Sequence, residues 1–474
     1  MSASWNKKSL ALLVTLLLLD SVPAKGNFFS RILKRHDPDE KPAPSSVTSV
    51  QGSGAQVGSV ISFHDGIPFA HLANSNKIPL IGYGVGNLQH SLIGGMVMAA
   101  MQESRKTRLI DTAHASDNEH LVAEGINLGA AKLQPEDKVE VHVVTKVYYT
   151  HLGYERTKLS VKESLEELQP ALENPLVDLK IHILLHWPQC YDDIPWMDCA
   201  GDEERLPEHV KAAGPDPNLD SGRAWKESWK ALEDMYLSDE FPIASIGVSN
   251  FHQDHLEELD KTARIIPHIL QVNVWSLLYD PDLVDYCHKH RIHLQAYNAL
   301  GGTVSHPERA PRAFNHLKDV AHDISTQIGK SLSPAQVVLA WLIQHGVSVI
   351  PRTTNVHRQQ ENSAVALSQV PAFNDHQIET IAHAVEAYLG GDDLQEDIHV
   401  SVTFHVVSKD IMLYWMGHQG EEVRIAHLKV GETFTDTTYP DHTFRTYDAQ
   451  NKDYFIDHKI DASYGDHREI HVEL

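Results

Sequence analysis

The chain has 474 residues, enough for two or three domains and a sizeable core. With 42% hydrophobic and 22% charged residues it reads as globular. Its formal net charge of −24 argues against nucleic acid or an anionic membrane surface as partner.

At the start, Lys7 and Lys8 precede an apolar run from Leu10 to Leu19, and Ser21-Val22-Pro23-Ala24 offers small residues for cleavage. This is the layout of a secretory signal, expected over residues 1–25, and it directs the chain into the secretory pathway. The run is too short to span a bilayer, which takes about 20 apolar residues. No membrane partner is expected beyond this segment. Residues 26–57, with Pro38, Pro42, Pro44, Gly52 and Gly54 among polar neighbours, hold too little apolar surface to bury and read as a flexible linker.

Eight short apolar runs follow: Ile78–Ile81, Arg108–Asp111, Val139–Thr145, Leu179–Leu185, Ile243–Val248, Ile269–Val272, Ile292–Ala296 and Val347–Ile350. Continuous apolar runs suit strands buried on both faces. Amphipathic stretches lie between them. Val161, Leu165 and Leu168 repeat at helical spacing, as do Trp225, Trp229 and Leu232. Ser333 with Pro334 opens another helix and Gly346 closes it. Repeated βα units imply a parallel sheet, and eight of them favour closure into a (β/α)₈ TIM barrel over residues 58–392. No G-x-G-x-x-G follows the first strand, which argues against an open dinucleotide-binding sheet. In a barrel of this kind chemistry sits at the C-terminal strand ends. There the chain offers Gly82 and Gly84, Asp111, Lys146, His186, Ser249 and Asn250, Gln271, Tyr297 and Arg352.

Gly390-Gly391-Asp392-Asp393 marks a boundary. Beyond it the period changes to two, as in Ile398-His399-Val400-Ser401-Val402-Thr403-Phe404, and residues 396–474 read as a small all-β sandwich. Of three cysteines, Cys190 and Cys199 share one loop and can pair in an oxidising compartment, but the odd, low count reads more readily as free thiols. Cys287-His288-Lys289-His290 with His293 has metal-binding residue types whose spacing does not converge, so no metal site is expected there. Trp187, Tyr191 and Trp196 lie on the loop after the fourth strand, where such loops wall a pocket.

The motifs at these strand ends resemble the aldo-keto reductase family. They are Ile-Pro-Leu-Ile-Gly-Tyr-Gly (78–84), Asp-Thr-Ala (111–113) with Asn118-Glu119, Thr145-Lys146, and Leu185-His186-Trp187-Pro188. Gly247-Val248-Ser249-Asn250-Phe251, Gln271-Val272-Asn273, Ala296-Tyr297 and Ile350-Pro351-Arg352-Thr353 through Arg358 and Glu361-Asn362 complete the set. The resemblance runs from residue 61 to about 390. It implies hydride transfer from NADPH to a small-molecule aldehyde or ketone, with Asp111, Lys146 and His186 in catalytic positions. The family's proton-donating tyrosine falls on Ser116, because Asp111-Thr112-Ala113 and Asn118-Glu119 fix the register on both sides. A serine hydroxyl is a far weaker acid than a phenol, whose reference pKa is about 10. His114, Tyr148, Tyr149 or a water held by Ser116, Lys146 and His186 are the candidate replacements. The alternative is an impaired NADPH-binding pseudoenzyme acting as an interaction module. For the cofactor, the resemblance assigns Ser249, Asn250 and Gln271 to the carboxamide and Tyr297 to ring stacking. Arg352, Thr353 and Arg358 go to the 2′-phosphate, Glu361 and Asn362 to the adenine side.

Residues 396–474 resemble the β domain of the von Hippel-Lindau tumour suppressor. The resemblance rests on Leu413-Tyr414-Trp415, Gly420-Glu421, Leu428-Lys429-Val430-Gly431-Glu432 and Thr437-Thr438-Tyr439-Pro440-Asp441-His442-Thr443-Phe444. It implies binding of a proline-containing peptide by Trp415, Thr438, Tyr439, His442 and Phe444.

Overall fold

The computed structural model describes residues 60–389, 400–416, 422–438, 442–452, 454–460 and 467–474, except 134, 137, 192–193, 195, 216–220, 302–303, 306 and 308–309. The expected signal segment, the linker and the boundary at 390–393 lie outside the described residues. Two compact units are present: the described residues up to Gly301 with Ala321–Asp375, and Gly302–Val320 with His376–Leu474.

In the first unit eight parallel strands lie side by side: β4 (Tyr83–Gly84), β5 (Leu109–Asp111), β6 (Val139–Val147), β7 (Val177–Leu185), β8 (Ile243–Ser249), β9 (Ile269–Asn273), β10 (His293–Tyr297) and β11 (Ser348–Val349). A parallel bridge between Ile81 and Val349 closes the ring, with Gly82 donating to the Val349 carbonyl at 2.8 Å and Val349 to that of Leu80 at 2.9 Å. Helices alternate with the strands as their apolar spacing dictates. Val161, Leu165 and Leu168 are buried on the helix Tyr154–Leu172, and Trp225, Trp229 and Leu232 on Ala224–Tyr236. Ser333 caps Pro334–Gln344 through a reciprocal exchange with Gln336, and Gly346 follows at φ +77°.

The first expected strand, Ile78–Ile81, is placed differently. Lys77–Pro79 is β3, the last strand of an antiparallel sheet that begins with β1 (Ile61–His64) and β2 (Ile67–His71), and the barrel strand starts later, at Tyr83. Asp65 and Gly66, both at positive φ, form the two-residue turn between β1 and β2, the type I′ geometry that an Asp-Gly pair favours. This sheet covers the N-terminal ends of the barrel strands. Asn74 and Asn76 donate to the Ala244 carbonyl, and Lys77 pairs with Glu140 at 3.2 Å.

Above that sheet the barrel holds a polar layer that the apolar pattern concealed. His142, His182, Ser245, His268, His293 and Ser348 are all buried there. His142 Nδ1 lies 3.0 Å from His182 Nε2, His182 Nδ1 2.7 Å from Ser245 Oγ, and His293 Nε2 2.6 Å from Ser348 Oγ. Glu140 accepts from His142 Nε2 at 3.3 Å. An ionised Glu140 fixes the proton on that nitrogen, leaving Nδ1 of His142 to accept from His182 and Nδ1 of His182 to accept from Ser245. Every ring in the layer is then hydrogen-bonded while neutral.

The second unit contains two β-sheets. One has order β15-β12-β18 (Thr433–Thr438, Val400–Val406, His467–Val472) and the other β14-β13-β16-β17 (Glu422–Leu428, Ile411–Met416, Thr443–Asp448, Phe455–Lys459). Their inner residues, among them Val402, Phe404, Ile411, Leu413, Phe444 and Ile470, form one apolar cluster, as the period-two pattern predicts.

Candidate active site

At the C-terminal ends of β5 and β6, Lys146 Nζ donates to Asp111 Oδ2 at 2.7 Å and to the Thr112 carbonyl at 2.5 Å. Both charges are buried, at 4% and 7% exposure. A lysine ammonium carries three donors, so one remains after these two bonds. The neighbouring motif Asn118-Glu119 works as a brace. Thr112 Oγ1 donates to Asn118, whose amide donates to the Val85 carbonyl, and buried Glu119 accepts from Thr145 and Ser164 at 2.6 and 2.7 Å. These bonds fix the start of the turn that carries Ser116.

His186 follows β7. Burial first, and the nearby Lys146 second, hold its imidazole well below the usual range, so it is neutral at pH 7. Its Nδ1 is buried with no hydrogen-bond partner among the described residues. A buried polar atom left unpaired costs about 1–3 kcal/mol, so this imidazole is one that the described residues alone do not satisfy. The Tyr148 ring packs 5.5 Å from that of His186.

Three groups near Ser116 were expected as proton donors in place of a phenol. His114 is engaged with Glu163 at 2.8 Å. Tyr149 donates to Asp202. Tyr148 remains beside His186, but burial raises its phenol above its ordinary pKa. Ser116 ends the 3₁₀ turn His114–Ser116, partly exposed, and its Oγ faces Gly86: a Cβ built there would sit 3.5 Å from it.

The expected cofactor residues fall into two groups. Asn250 donates to the His186 carbonyl at 2.9 Å and to Ser249 Oγ at 3.1 Å, and accepts from the Tyr297 hydroxyl at 2.8 Å. Asn250 adopts φ +59°, a left-handed conformation that asparagine tolerates better than most residues. Burial pushes the Tyr297 phenol up to about 12. Gln271 is held from one side only. Both of its amide protons are taken, by Asp111 Oδ2 and Gln295 Oε1 at 2.7 Å each, so only its carbonyl oxygen is left to accept from a carboxamide. Gln295 was not singled out from the sequence, because a lone glutamine in an apolar strand carries no motif.

At the other end, Arg352 and Arg358 are exposed. Arg352 Nη1 donates to the Gly86 carbonyl at 2.9 Å, and Tyr83 donates to the Thr353 carbonyl at 2.6 Å, which ties this segment to β4. Glu361 is exposed, while Asn362 is buried with Oδ1 unpaired among the described residues. Two exposed cations on one segment suit the phosphate of a phosphorylated dinucleotide.

The aromatic residues named on the loop after β7 pack against one another. Trp187 stands edge-on to Tyr191 and Trp196, at 6.2 and 5.5 Å between ring centroids. Contrary to the reading as free thiols, Cys190 and Cys199 are joined in a disulfide that closes this loop. Their Cα atoms lie 5.8 Å apart, within bonding range, a proximity that counting cysteines does not reveal. Cys287 lies on the buried face of the helix Pro281–His290, while His293, in β10, bonds to Ser348, so these two ends of the Cys-His patch turn to separate surroundings.

The ion pair gives a stability prediction. Lys146→Met leaves the Asp111 carboxylate buried with only Gln271 against it, and is expected to cost about 3–5 kcal/mol in urea unfolding. The double variant Asp111→Asn/Lys146→Met removes both charges and is expected to recover most of that loss. A double variant as unstable as the single one would contradict the buried pair.

A model of the aldo/keto reductase family matches residues 96–386, more than half of the chain. The 9,11-endoperoxide prostaglandin H2 reductase of Trypanosoma cruzi (strain CL Brener) is 33% identical over 292 residues, which is 61% of this chain and 83% of that protein. Glyoxal reductase of Bacillus subtilis (strain 168) is 31% identical over 298 residues, 62% of this chain and 85% of that one. Among solved structures, a Bombyx mori aldo-keto reductase in complex with NADP shares the fold at a TM-score of 0.51 and 24% identity, over 68% of this chain and 92% of that one. The chain therefore belongs to the aldo/keto reductase family.

Proposed function

We propose that this chain is an NADPH-dependent oxidoreductase that reduces the carbonyl of a small aldehyde or ketone. The observation that carries this reading is the buried Lys146–Asp111 pair beside a neutral His186 with an unpartnered nitrogen. When bound, NADPH supplies the hydride. A carbonyl receiving hydride develops negative charge on its oxygen, and neutral His186 can donate a hydrogen bond to it without itself giving up a formal charge. The third Lys146 donor is available to the group that delivers the proton. With His114 and Tyr149 engaged elsewhere, a water held by Ser116 and Lys146 is the donor this reading favours.

Cofactor choice rests on Arg352 and Arg358. Arg352→Ala is expected to weaken NADPH binding by about 10–100-fold, the loss of one charge-assisted phosphate contact, and to leave NADH affinity nearly unchanged. Fluorescence titration of both nucleotides checks this; equal losses for the two would sink the 2′-phosphate assignment. The reaction itself is tested by following NADPH oxidation against a panel of small aldehydes and ketones. Turnover supports the oxidoreductase; tight NADPH binding with no turnover favours the second reading, an interaction module that retains its cofactor.

That second reading draws on Ser116 and on the tail. The tail would act as a von Hippel-Lindau-like β domain presenting Trp415 and His442 to a proline-containing peptide. Trp415 Nε1 lies 3.3 Å from His442 Nδ1 and both are partly exposed, which supports a shared surface. Phe444 does not belong to it: at 1% exposure it packs against Phe404 in the core. Tyr439 lies outside the described residues, as does the side chain of Thr438. We also place the chain in the secretory pathway, a proposal supported by the Cys190–Cys199 bridge, since such bonds persist in oxidising compartments.

A further inference from the structure

The turn that carries Ser116 also carries His114, and His114 faces two groups that hydride chemistry does not use. His151 comes from the 3₁₀ turn Tyr149–His151 after β6, and Glu163 from the helix Tyr154–Leu172. His114 Nε2 lies 2.8 Å from Glu163 Oε2, and the His114 and His151 rings are 4.7 Å apart, edge to face. One ligand atom from each of the three residues falls within 4.8 Å of the other two. We propose that His114, His151 and Glu163 form a binding site for a divalent transition-metal ion, with zinc as the reference ion.

The donor set decides the class of ion. Two imidazoles and one carboxylate suit zinc, iron, copper or nickel; calcium and magnesium prefer oxygen alone. The supporting contacts decide the geometry. Thr150 Oγ1 lies 3.0 Å from Nδ1 of His151, which leaves Nε2 as its ligand atom. The turn behind it is fixed by Thr157 Oγ1 donating to the His151 carbonyl at 3.0 Å and by Arg156 donating to the Thr150 carbonyl at 3.1 Å. Ligands oriented by such outer contacts bind metal more tightly than loose ones.

The space around the cluster decides access. A cavity of about 500 Å³ is bordered by His114, Tyr148, His151 and Glu163, with Glu167, Asp202 and Arg205 on its rim. Arg205 is paired with Asp198 and Asp202, so Glu163 and Glu167 leave the cavity with a negative balance that attracts a cation. Three protein ligands facing an open cavity leave coordination positions for water or a small anionic ligand. An ordinary His–Glu ion pair explains His114 and Glu163. It does not explain a second, buried imidazole turned edge-on to the first.

The ligands are separated by 37 and 12 residues and come from three elements, so no motif announces them. Because His114 is two residues before Ser116, an ion here would stiffen the turn that bears the altered catalytic position.

The test uses the full chain without a polyhistidine tag, stripped with a chelator. Zinc is titrated in competition with a chromophoric chelator, and cobalt is added separately to record its visible absorption. One zinc per chain is expected, weakened roughly a hundredfold or more in His114→Ala, His151→Ala and Glu163→Gln. It should be retained in His405→Ala/His471→Ala, which removes the other His-rich cluster, His405, Glu469 and His471. Cobalt should give ligand-field bands that His151→Ala abolishes. Circular dichroism and melting temperature confirm that each variant is folded. Glu163→Gln, nearly isosteric, keeps the test valid if a histidine variant is not. The proposal is overturned if zinc affinity is unchanged in the folded variants, if it follows the tail cluster instead, or if binding is no tighter than that of exposed histidines.

Discussion

Ser116→Tyr is expected to raise kcat for small aldehydes by about 10²–10⁴-fold, the usual worth of a positioned general acid. The reason is local. What a phenol at this position would need is in place: Lys146 has an unengaged donor, Asp111 holds it, and the Thr112–Asn118 and Glu119 bonds brace the turn. A lysine ammonium beside a phenol lowers its pKa from about 10 toward the working pH, which a serine hydroxyl cannot match. The Oγ of Ser116 faces Gly86, which has no side chain to block a ring. NADPH affinity should not change, because no cofactor residue is touched, so the gain belongs in kcat and not in the nucleotide Kd. Steady-state kinetics and fluorescence titration on the same preparations separate the two. A Tyr variant that binds NADPH normally yet gains nothing would mean that the site has lost more than its acid, and that Lys146 and His186 are no longer aimed at a substrate.

How far the sequence led follows from where each signal lived. The barrel was legible because its strands are nearly unbroken apolar runs, and the helix Pro334–Gln344 because Ser333, Pro334 and Gly346 punctuate it. The first barrel strand was not. Ile78–Ile81 is as apolar as its neighbours, and only the Asp65-Gly66 turn upstream signals that the chain forms an antiparallel sheet before entering the barrel. Charged residues at strand ends could be named because their order is a pattern. Their partners were harder: Gln271 could be named, but not that its amide is already committed to Asp111 and Gln295. Phe444 shows the limit in the tail. Motif position placed it at a binding surface, whereas in β16 it faces inward against Phe404, because neighbouring residues in a strand point to opposite faces. The disulfide and the His114–His151–Glu163 cluster depend on distances in space and leave no trace in spacing.

The buried histidine layer leads to the largest stability effect. His142, His182, His268 and His293 lie where burial opposes their charged forms, with His268 pushed down to about 4 and His293 to about 3. In the unfolded chain each would titrate near 6.5. Between these limits the unfolded state binds more protons, so stability is full above pH 6.5 and is lost as pH falls toward the folded values. Each ring that stays neutral costs about 1.4 kcal/mol per pH unit in that window, so His182, His268 and His293, held furthest down, together cost roughly 4 kcal/mol per unit. Total stability of a folded domain is only about 5–15 kcal/mol, so the first unit is expected to unfold within about two units below pH 6.5. One effect opposes this. The chain's charge of −24 moves toward zero in acid, which relieves repulsion in the folded state. That relief acts between exposed, salt-screened charges and is the smaller effect, so the loss should survive at about 0.3 M salt. Urea midpoints from pH 7.5 to 4.5, followed by tryptophan fluorescence, measure it. His182→Leu/Ser245→Ala, which removes one ring with the hydroxyl it faces, should flatten the acid limb by about one proton's worth of slope. A midpoint that stays level down to pH 5 would mean that the layer admits protons or water in the folded state, and the neutral relay from Glu140 to Ser245 would have to be abandoned.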